Sequence, residues 1–194
     1  MNETLQKVYL IRHGETAWSL SGQHTGHTDI PLTARGEQAA RALQTRLKDL
    51  RVAKVLTSPL QRARRTCELA GFTSAEVDAD LMEWDYGSYE GRRTADIRTE
   101  RPGWRLFEEG CPGGETLLEV AARAERVIGR IRALEGDTLV CAHGHLLRIL
   151  IARWIALPAL EARRLHLATA SVSILGYDHD LGEPVIRMLN AVQP

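Results

Sequence analysis

The stretch Val8-Tyr9-Leu10-Ile11-Arg12-His13-Gly14-Glu15-Thr16 decides how the rest of the chain is read. Val8 to Ile11 are apolar, β-branched or aromatic, the composition of a buried strand. The run stops at two ionisable side chains, Arg12 and His13, and Gly14 permits a sharp turn or a close approach to a ligand. Open α/β sheets bind ligands at the carboxyl ends of their strands, which is where this imidazole and guanidinium stand. Taken alone, the stretch is equally a strand that ends in a solvated turn.

The chain shows the same device again. Thr138-Leu139-Val140-Cys141-Ala142 reads as a second buried strand and runs directly into His143-Gly144-His145. Parallel β–α crossovers would bring the two strand ends to one edge of one sheet. Between them, residues 54–57 form a short strand, and Ser58-Pro59 opens a helix with Ser58 as its cap and Pro59 at its first position. Arg62, Arg64 and Arg65 fall in that helix's first two turns. Cations are unfavourable at the positive end of a helix macrodipole. The basic face is therefore either solvated or offset by a bound anion.

The remaining elements follow from periodicity. Thr33 caps a helix over residues 34–50, and residues 75–77 form a brief strand. Helices are expected over 94–100, 115–134, 146–155 and 160–165, the second with Leu117, Val120, Ala124, Val127 and Ile131 on one stripe. Residues 171–177 and 184–190 read as a β-hairpin at the sheet edge. Residues 14–32 are a long polar loop, a kind that is usually functional or disordered.

At 194 residues the chain suits one α/β domain spanning 1–194, with an irregular excursion at about 81–114 lying over the sheet edge. Within it, Glu83-Trp84-Asp85-Tyr86-Gly87-Ser88-Tyr89 is dense in aromatics, which marks a packed or ligand-facing segment in a chain that is only 5% aromatic. The formal net charge of zero gives no electrostatic argument for nucleic acid or an anionic membrane as partner. No apolar run is long enough to span a bilayer, and residues 1–7 lack a signal-peptide core. Cys67, Cys111 and Cys141 are odd in number and without CxxC spacing, so a cytoplasmic protein with reduced thiols is expected. There is no GxGxxG, Walker loop or GxSxG, and no aspartate cluster placed for magnesium. A phosphate group would be met here by arginines, imidazoles and backbone amides, without metal.

Leu10-Ile11-Arg12-His13-Gly14-Glu15-Thr16 resembles the signature of the histidine phosphatase superfamily, the phosphoglycerate mutase-like proteins. Thr57-Ser58-Pro59-Leu60-Gln61-Arg62-Ala63, Glu83-Trp84-Asp85-Tyr86-Gly87 and Ala142-His143-Gly144-His145 match the family's later motifs in order. The resemblance runs over about residues 8–177. It implies a three-layer αβα sandwich with a mostly parallel central sheet. It also implies metal-independent phosphatase chemistry, with His13 as the nucleophile that becomes phosphohistidine. Arg12, Arg62 and His143 would hold the phosphoryl oxygens, and Glu83 would give a proton to the leaving group. Ser19, His24, Thr25 and Gly144 would contact substrate, and Tyr86 is equally a packing residue or a substrate contact. Neither a metal nor a cofactor is expected.

These roles suit the residue types. Phosphoryl transfer needs in-line positioning and stabilisation of the equatorial oxygens. His13 must attack through an unprotonated ring nitrogen, so a backbone carbonyl or similar acceptor should hold its other N–H.

The chain departs from the family pattern in places. Ser19 follows Trp18 where many relatives have asparagine, and Met82-Glu83-Trp84-Asp85-Tyr86-Gly87 replaces the Asn-Glu-Arg-His-Tyr-Gly run of the mutases. The motifs most resemble the branch of sugar-bisphosphate phosphatases. The expected partner is a small-molecule phosphate monoester, such as a sugar phosphate, and a homodimer is left open. The alternatives are a phosphoglycerate mutase and a non-catalytic phospho-ligand module. His145 is expected to be structural, and His27, His166 and His179 to have no chemistry. Arg92 and Arg93 are read as a solvated pair or a second anion site.

Overall fold

The structure is a computed structural model that describes residues 5–192. Six strands, β1 (Val8–Arg12), β2 (Lys54–Thr57), β3 (Glu76–Val77), β4 (Thr138–Ala142), β5 (Val172–Tyr177) and β6 (Pro184–Ala191), form one sheet in the order β3-β2-β4-β1-β5-β6. The pairs β3·β2, β2·β4 and β4·β1 are parallel, while β5 runs antiparallel to both β1 and β6. The expected edge hairpin is thus β5–β6. In the β1·β4 register Arg12 lies beside Ala142. His13 and His143, each one residue further on, are therefore brought together by strand pairing alone.

Side-chain alternation along the strands builds two cores. Val8 and Leu10 of β1, with Val140 and Ala142 of β4, pack against α6 (Leu117–Arg132) and α7 (Gly144–Trp154). Ile11, Leu139 and Cys141 face the other way, onto Leu43 of α2 (Ala34–Leu47) and Cys67 of α3 (Gln61–Leu69). Helix, sheet and helix make the expected three layers.

Several boundaries differ from the sequence reading, each for a physical reason. Helix α3 begins at Gln61, with Leu60 at the N-cap and no side-chain cap. The Ser58 hydroxyl instead accepts from Leu60 N (3.3 Å) and lies 2.7 Å from His143 Nε2, so a distant imidazole claims it. The long loop after His13 holds a short helix, α1 (Ala17–Ser21), closed by a capping box between Thr16 and Ser19. Helix α6 likewise starts behind a box formed by Thr116 and Glu119. Residues Ala159–Arg164 are a 3-10 helix. Gly14 serves packing: a Cβ there would stand 2.6 Å from Gly36 O, because the turn after β1 lies against the backbone at the start of α2.

The excursion carries α4 (Thr94–Glu100) and α5 (Leu106–Glu109) and is tied to α6 by one half-buried ion pair. Arg123 pairs with Glu115 at 2.7 Å and also donates to the carbonyls of Asp80 (2.8 Å) and Met82 (2.9 Å). The Trp84 indole donates to Glu115 O at 2.8 Å. These contacts fix the backbone on both sides of Glu83.

Candidate active site

At the end of β1, His13 N donates to Ala142 O (3.0 Å), and the His13 ring is 4% exposed. Its Nδ1 lies 2.7 Å from Gly14 O. A carbonyl can only accept, so Nδ1 carries the hydrogen and Nε2 presents a lone pair. Burial, reinforced by the charges of Arg12 and Arg62, holds this imidazole well below the usual histidine range. It is neutral at neutral pH.

The ring of His143 lies with its centroid 5.2 Å from that of His13, at the N-cap of α7, and is fully buried. Arg62 Nε, which can only donate, is 3.2 Å from His143 Nδ1. The proton of neutral His143 therefore sits on Nε2, where Ser58 Oγ accepts it. Burial and the neighbouring Arg62 charge push this imidazole well below the usual range too.

Arg12 donates through Nη1 to Leu167 O, while its buried Nε has no protein partner. Gly144 lets the guanidinium lie against the start of α7, since a Cβ there would come within 3.2 Å of that Nε.

Arg62 departs from the expectation of a guanidinium open to substrate. It is fully buried, and its fork is engaged by backbone carbonyls: Nη1 with Thr28 O (2.9 Å), Nη2 with Thr25 O (3.1 Å) and Gly26 O (2.7 Å). Together with Nε on His143, these bonds tie the loop 25–28 to the imidazole. Thr66, one turn on, accepts from Gly14 N and so joins α3 to the turn after His13. Neither Arg64 nor Arg65 joins this group; Arg65 pairs with Glu37 (3.0 Å) on the surface.

Glu83 is 4% exposed and held by three backbone amides. Trp84 N (3.0 Å) and Leu146 N (2.9 Å) donate to Oε1, and His145 N (3.0 Å) donates to Oε2. Two of these amides belong to the first turn of α7, where unpaired N–H groups are available. Oε2, with a single such bond, retains room for a proton.

Beside it, Tyr86 is held far above its ordinary range by burial and remains a phenol. Its hydroxyl lies within hydrogen-bonding distance of His145 Nδ1, at 2.6 Å. Burial holds the His145 imidazole well below the usual histidine range, so it is neutral.

These groups line a pocket of about 210 Å³. Arg12, His13, Glu83, Ser19, His24, Thr25, Tyr86 and Gly144 all contribute to its wall, whereas Arg62 and His143 stand behind it. The Ser19 hydroxyl is committed to the α1 capping box, donating to Thr16 O at 3.0 Å. The His24 ring lies tilted against Tyr86, with centroids 4.8 Å apart, and burial lowers its imidazole to about 4.

Sequence reasoning missed Gln23, His145, Arg148 and His166 in the same wall. His166 was expected to be a bystander, but the chain after the 3-10 helix carries it to the pocket mouth beside Leu167. Arg148 had a readable signal: it lies four residues after Gly144 and three after His145, on the same helical face. Arg92 and Arg93 lie outside this pocket and are neutralised by Glu100 (2.5 Å) and Asp96 (3.0 Å). Among the described residues no helix is long and apolar enough to cross a membrane.

Comparison with known proteins agrees with this geometry. The sequence profile of the histidine phosphatase superfamily (branch 1) matches residues 8–191. The chain is 42% identical to an acid phosphatase of Mycobacterium tuberculosis, covering 97% of this chain and 95% of that one. It is 37% identical to sedoheptulose 1,7-bisphosphatase of Saccharomyces cerevisiae, over 78% of this chain and 68% of the relative. A solved structure from Mycobacterium tuberculosis superposes with a TM-score of 0.91 at 39% identity, covering 96% of this chain and 98% of that one. Fold, strand-end histidines and profile agree: the chain belongs to the histidine phosphatase superfamily, branch 1.

Proposed function

We propose that the chain is one domain that hydrolyses phosphate monoesters of small metabolites, sugar phosphates among them, through phosphohistidine on His13. The observation that carries this reading is the ring of His13. Gly14 O takes its Nδ1–H, which leaves a neutral Nε2 lone pair in a pocket that Arg12 makes cationic. The relatives support the reading, since one is named an acid phosphatase and one a sugar bisphosphatase.

In the first step Nε2 attacks phosphorus in line, the bond to the ester oxygen breaks, and the departing oxygen takes the proton of Glu83. The ring then keeps its Nδ1 proton, and Gly14 O stabilises the positive charge that develops on it. In the second step water attacks the phosphohistidine, its proton passes to the Glu83 carboxylate, and phosphate leaves with His13 restored. Arg12 stabilises the equatorial oxygens directly. His143, with Arg62 behind it, supplies an N–H at Nε2 that can exchange Ser58 for a phosphoryl oxygen.

The donor set requires no divalent ion, because guanidinium and N–H groups take the place a cation would fill. Free thiols at Cys67, Cys111 and Cys141 suit the cytoplasm.

The test is hydrolysis of p-nitrophenyl phosphate in excess EDTA, with acid-free trapping of the phosphoprotein and peptide mapping. Turnover with phosphate on His13 supports the proposal. A requirement for added metal, or phosphate mapped to another residue, overturns it.

A further inference from the structure

Arg12 stands in the wall of the pocket at His13 on a single tie. Among the described residues its guanidinium makes one hydrogen bond, from Nη1 to Leu167 O, and its buried Nε has no protein partner. A long side chain fixed at one atom takes its aim from that atom. The position of Leu167 O therefore sets where the free edge of the guanidinium points.

Leu167 lies in a strap, residues 166–170, that joins the 3-10 helix to β5 and crosses the end of β1. Ala170 N donates to both Arg12 O and His13 O, each at 3.1 Å. Ala170 has a φ of 55°, in the left-handed region that a residue with a Cβ adopts only where its surroundings hold it there. The strap thus braces the main chain of both residues as well as the Arg12 side chain.

Its middle is held from the outermost strand. Ala168 N, which can only donate, meets Asn190 Oδ1 of β6 at 2.6 Å. That N–H and Leu167 O belong to the same peptide unit, which is planar and points its two polar groups in opposite directions. Asn190 and Arg12 therefore grip opposite edges of one rigid plate. Hydrogen bonds in such a chain polarise and strengthen one another.

The sheet is modified locally to place this amide. Val172 pairs with Ala191 and Ile174 with Met188, so β6 carries one residue more than β5 over the stretch that contains Asn190. A bulge of this kind re-aims a side chain. Asn190 has a φ of 55°, which asparagine tolerates better than most residues. Its own N–H donates to the buried Ser173 Oγ at 3.0 Å, which ties the bulge back to β5.

We propose that Asn190 is a positioning residue for anion binding at Arg12: its amide oxygen fixes the Leu167–Ala168 peptide plane, and that plane aims the guanidinium at the phosphoryl group bound over His13. The phosphoryl group at His13 rests on the reaction proposed above, whereas the link from Asn190 to Arg12 rests on the hydrogen bonds alone.

The experiment measures the dissociation constant of inorganic phosphate by calorimetry, and kcat/KM on p-nitrophenyl phosphate, for the wild type, Asn190→Gly, Asn190→Asp, Arg12→Lys and the double variant Asn190→Gly/Arg12→Lys. Glycine keeps the left-handed backbone and removes the amide, and aspartate keeps an acceptor oxygen at the same reach. Asn190→Gly should weaken phosphate binding ~10-fold, with kcat/KM falling in parallel, whereas Asn190→Asp should stay within ~3-fold of the wild type. In the Arg12→Lys background the glycine substitution should add ~2-fold or less, because the group it aims is gone. A folded Asn190→Gly protein that binds phosphate as the wild type does overturns the proposal, as does an Asn190→Asp protein as weak as Asn190→Gly. A full effect that persists in the Arg12→Lys background also overturns it, since Asn190 would then act on the pocket at large and not through Arg12. Phosphate binding that follows the expected pattern, in a wild type that does not turn over p-nitrophenyl phosphate, would instead overturn the reaction and leave the positioning role standing.

Discussion

The ends of β1 and β4 use one sequence device, apolar strand then His-Gly, and reach opposite chemical states. At His13 the ring meets a carbonyl at Nδ1, so the hydrogen stays there and Nε2 offers an electron pair. At His143 the ring meets the Nε–H of Arg62, so Nδ1 accepts and Nε2 offers a hydrogen. Burial keeps both imidazoles neutral. The difference is set by what stands at a single ring atom. It teaches that an electron-pair donor and a hydrogen donor can be made from the same side chain in adjacent strands without any change of charge.

Breaking either half should cost activity unequally. His13→Ala removes the proposed attacking atom, and kcat on p-nitrophenyl phosphate should fall by at least ~10³-fold. A smaller loss would mean that another group attacks. Glu83→Gln should lose ~10²-fold or more on an alkyl phosphate and much less on p-nitrophenyl phosphate, whose leaving group needs no proton. Equal losses on the two esters would remove Glu83 from the role of acid. Ser58→Ala takes away only the acceptor of the His143 proton, worth about one net hydrogen bond, so kcat should change by ~10-fold or less. A loss as large as that of His13→Ala would mean that Ser58 itself touches the reacting group.

The smallest effect is on stability. His13, His24, His143 and His145 all titrate lower in the folded chain than the ~6.5 of an unfolded histidine. As pH falls below that value the unfolded chain takes up protons that the folded chain refuses, so the folded state loses stability. Thermal scans should show Tm falling between about pH 7 and pH 5, with a shallower slope in His143→Phe. A flat Tm over that window would contradict the buried neutral rings.

Local sequence carried much of this. The strands at Lys54–Thr57 and Thr138–Ala142 and the helix Thr94–Glu100 lie where composition and periodicity put them, because their hydrogen bonds and buried faces are local or regular. The juxtaposition of His13 and His143 followed from two strand ends in a parallel sheet. Hydrogen-bond ownership across the fold was not legible. Ser58 looked like a helix cap, yet its hydroxyl meets a ring 85 residues away. Arg62 looked like a free fork, yet three carbonyls of the loop after α1 hold its terminal nitrogens. Such partners are assigned by tertiary approach, and no spacing along the chain encodes them.

The opposite placement of the two ring protons is tested most directly by long-range ¹H–¹⁵N correlation spectra of the wild type, His13→Gln and His143→Gln at neutral pH. The His13 signal should show hydrogen on Nδ1 and the His143 signal hydrogen on Nε2. Two rings in the same tautomer, or a hydrogen on His13 Nε2, would contradict the account.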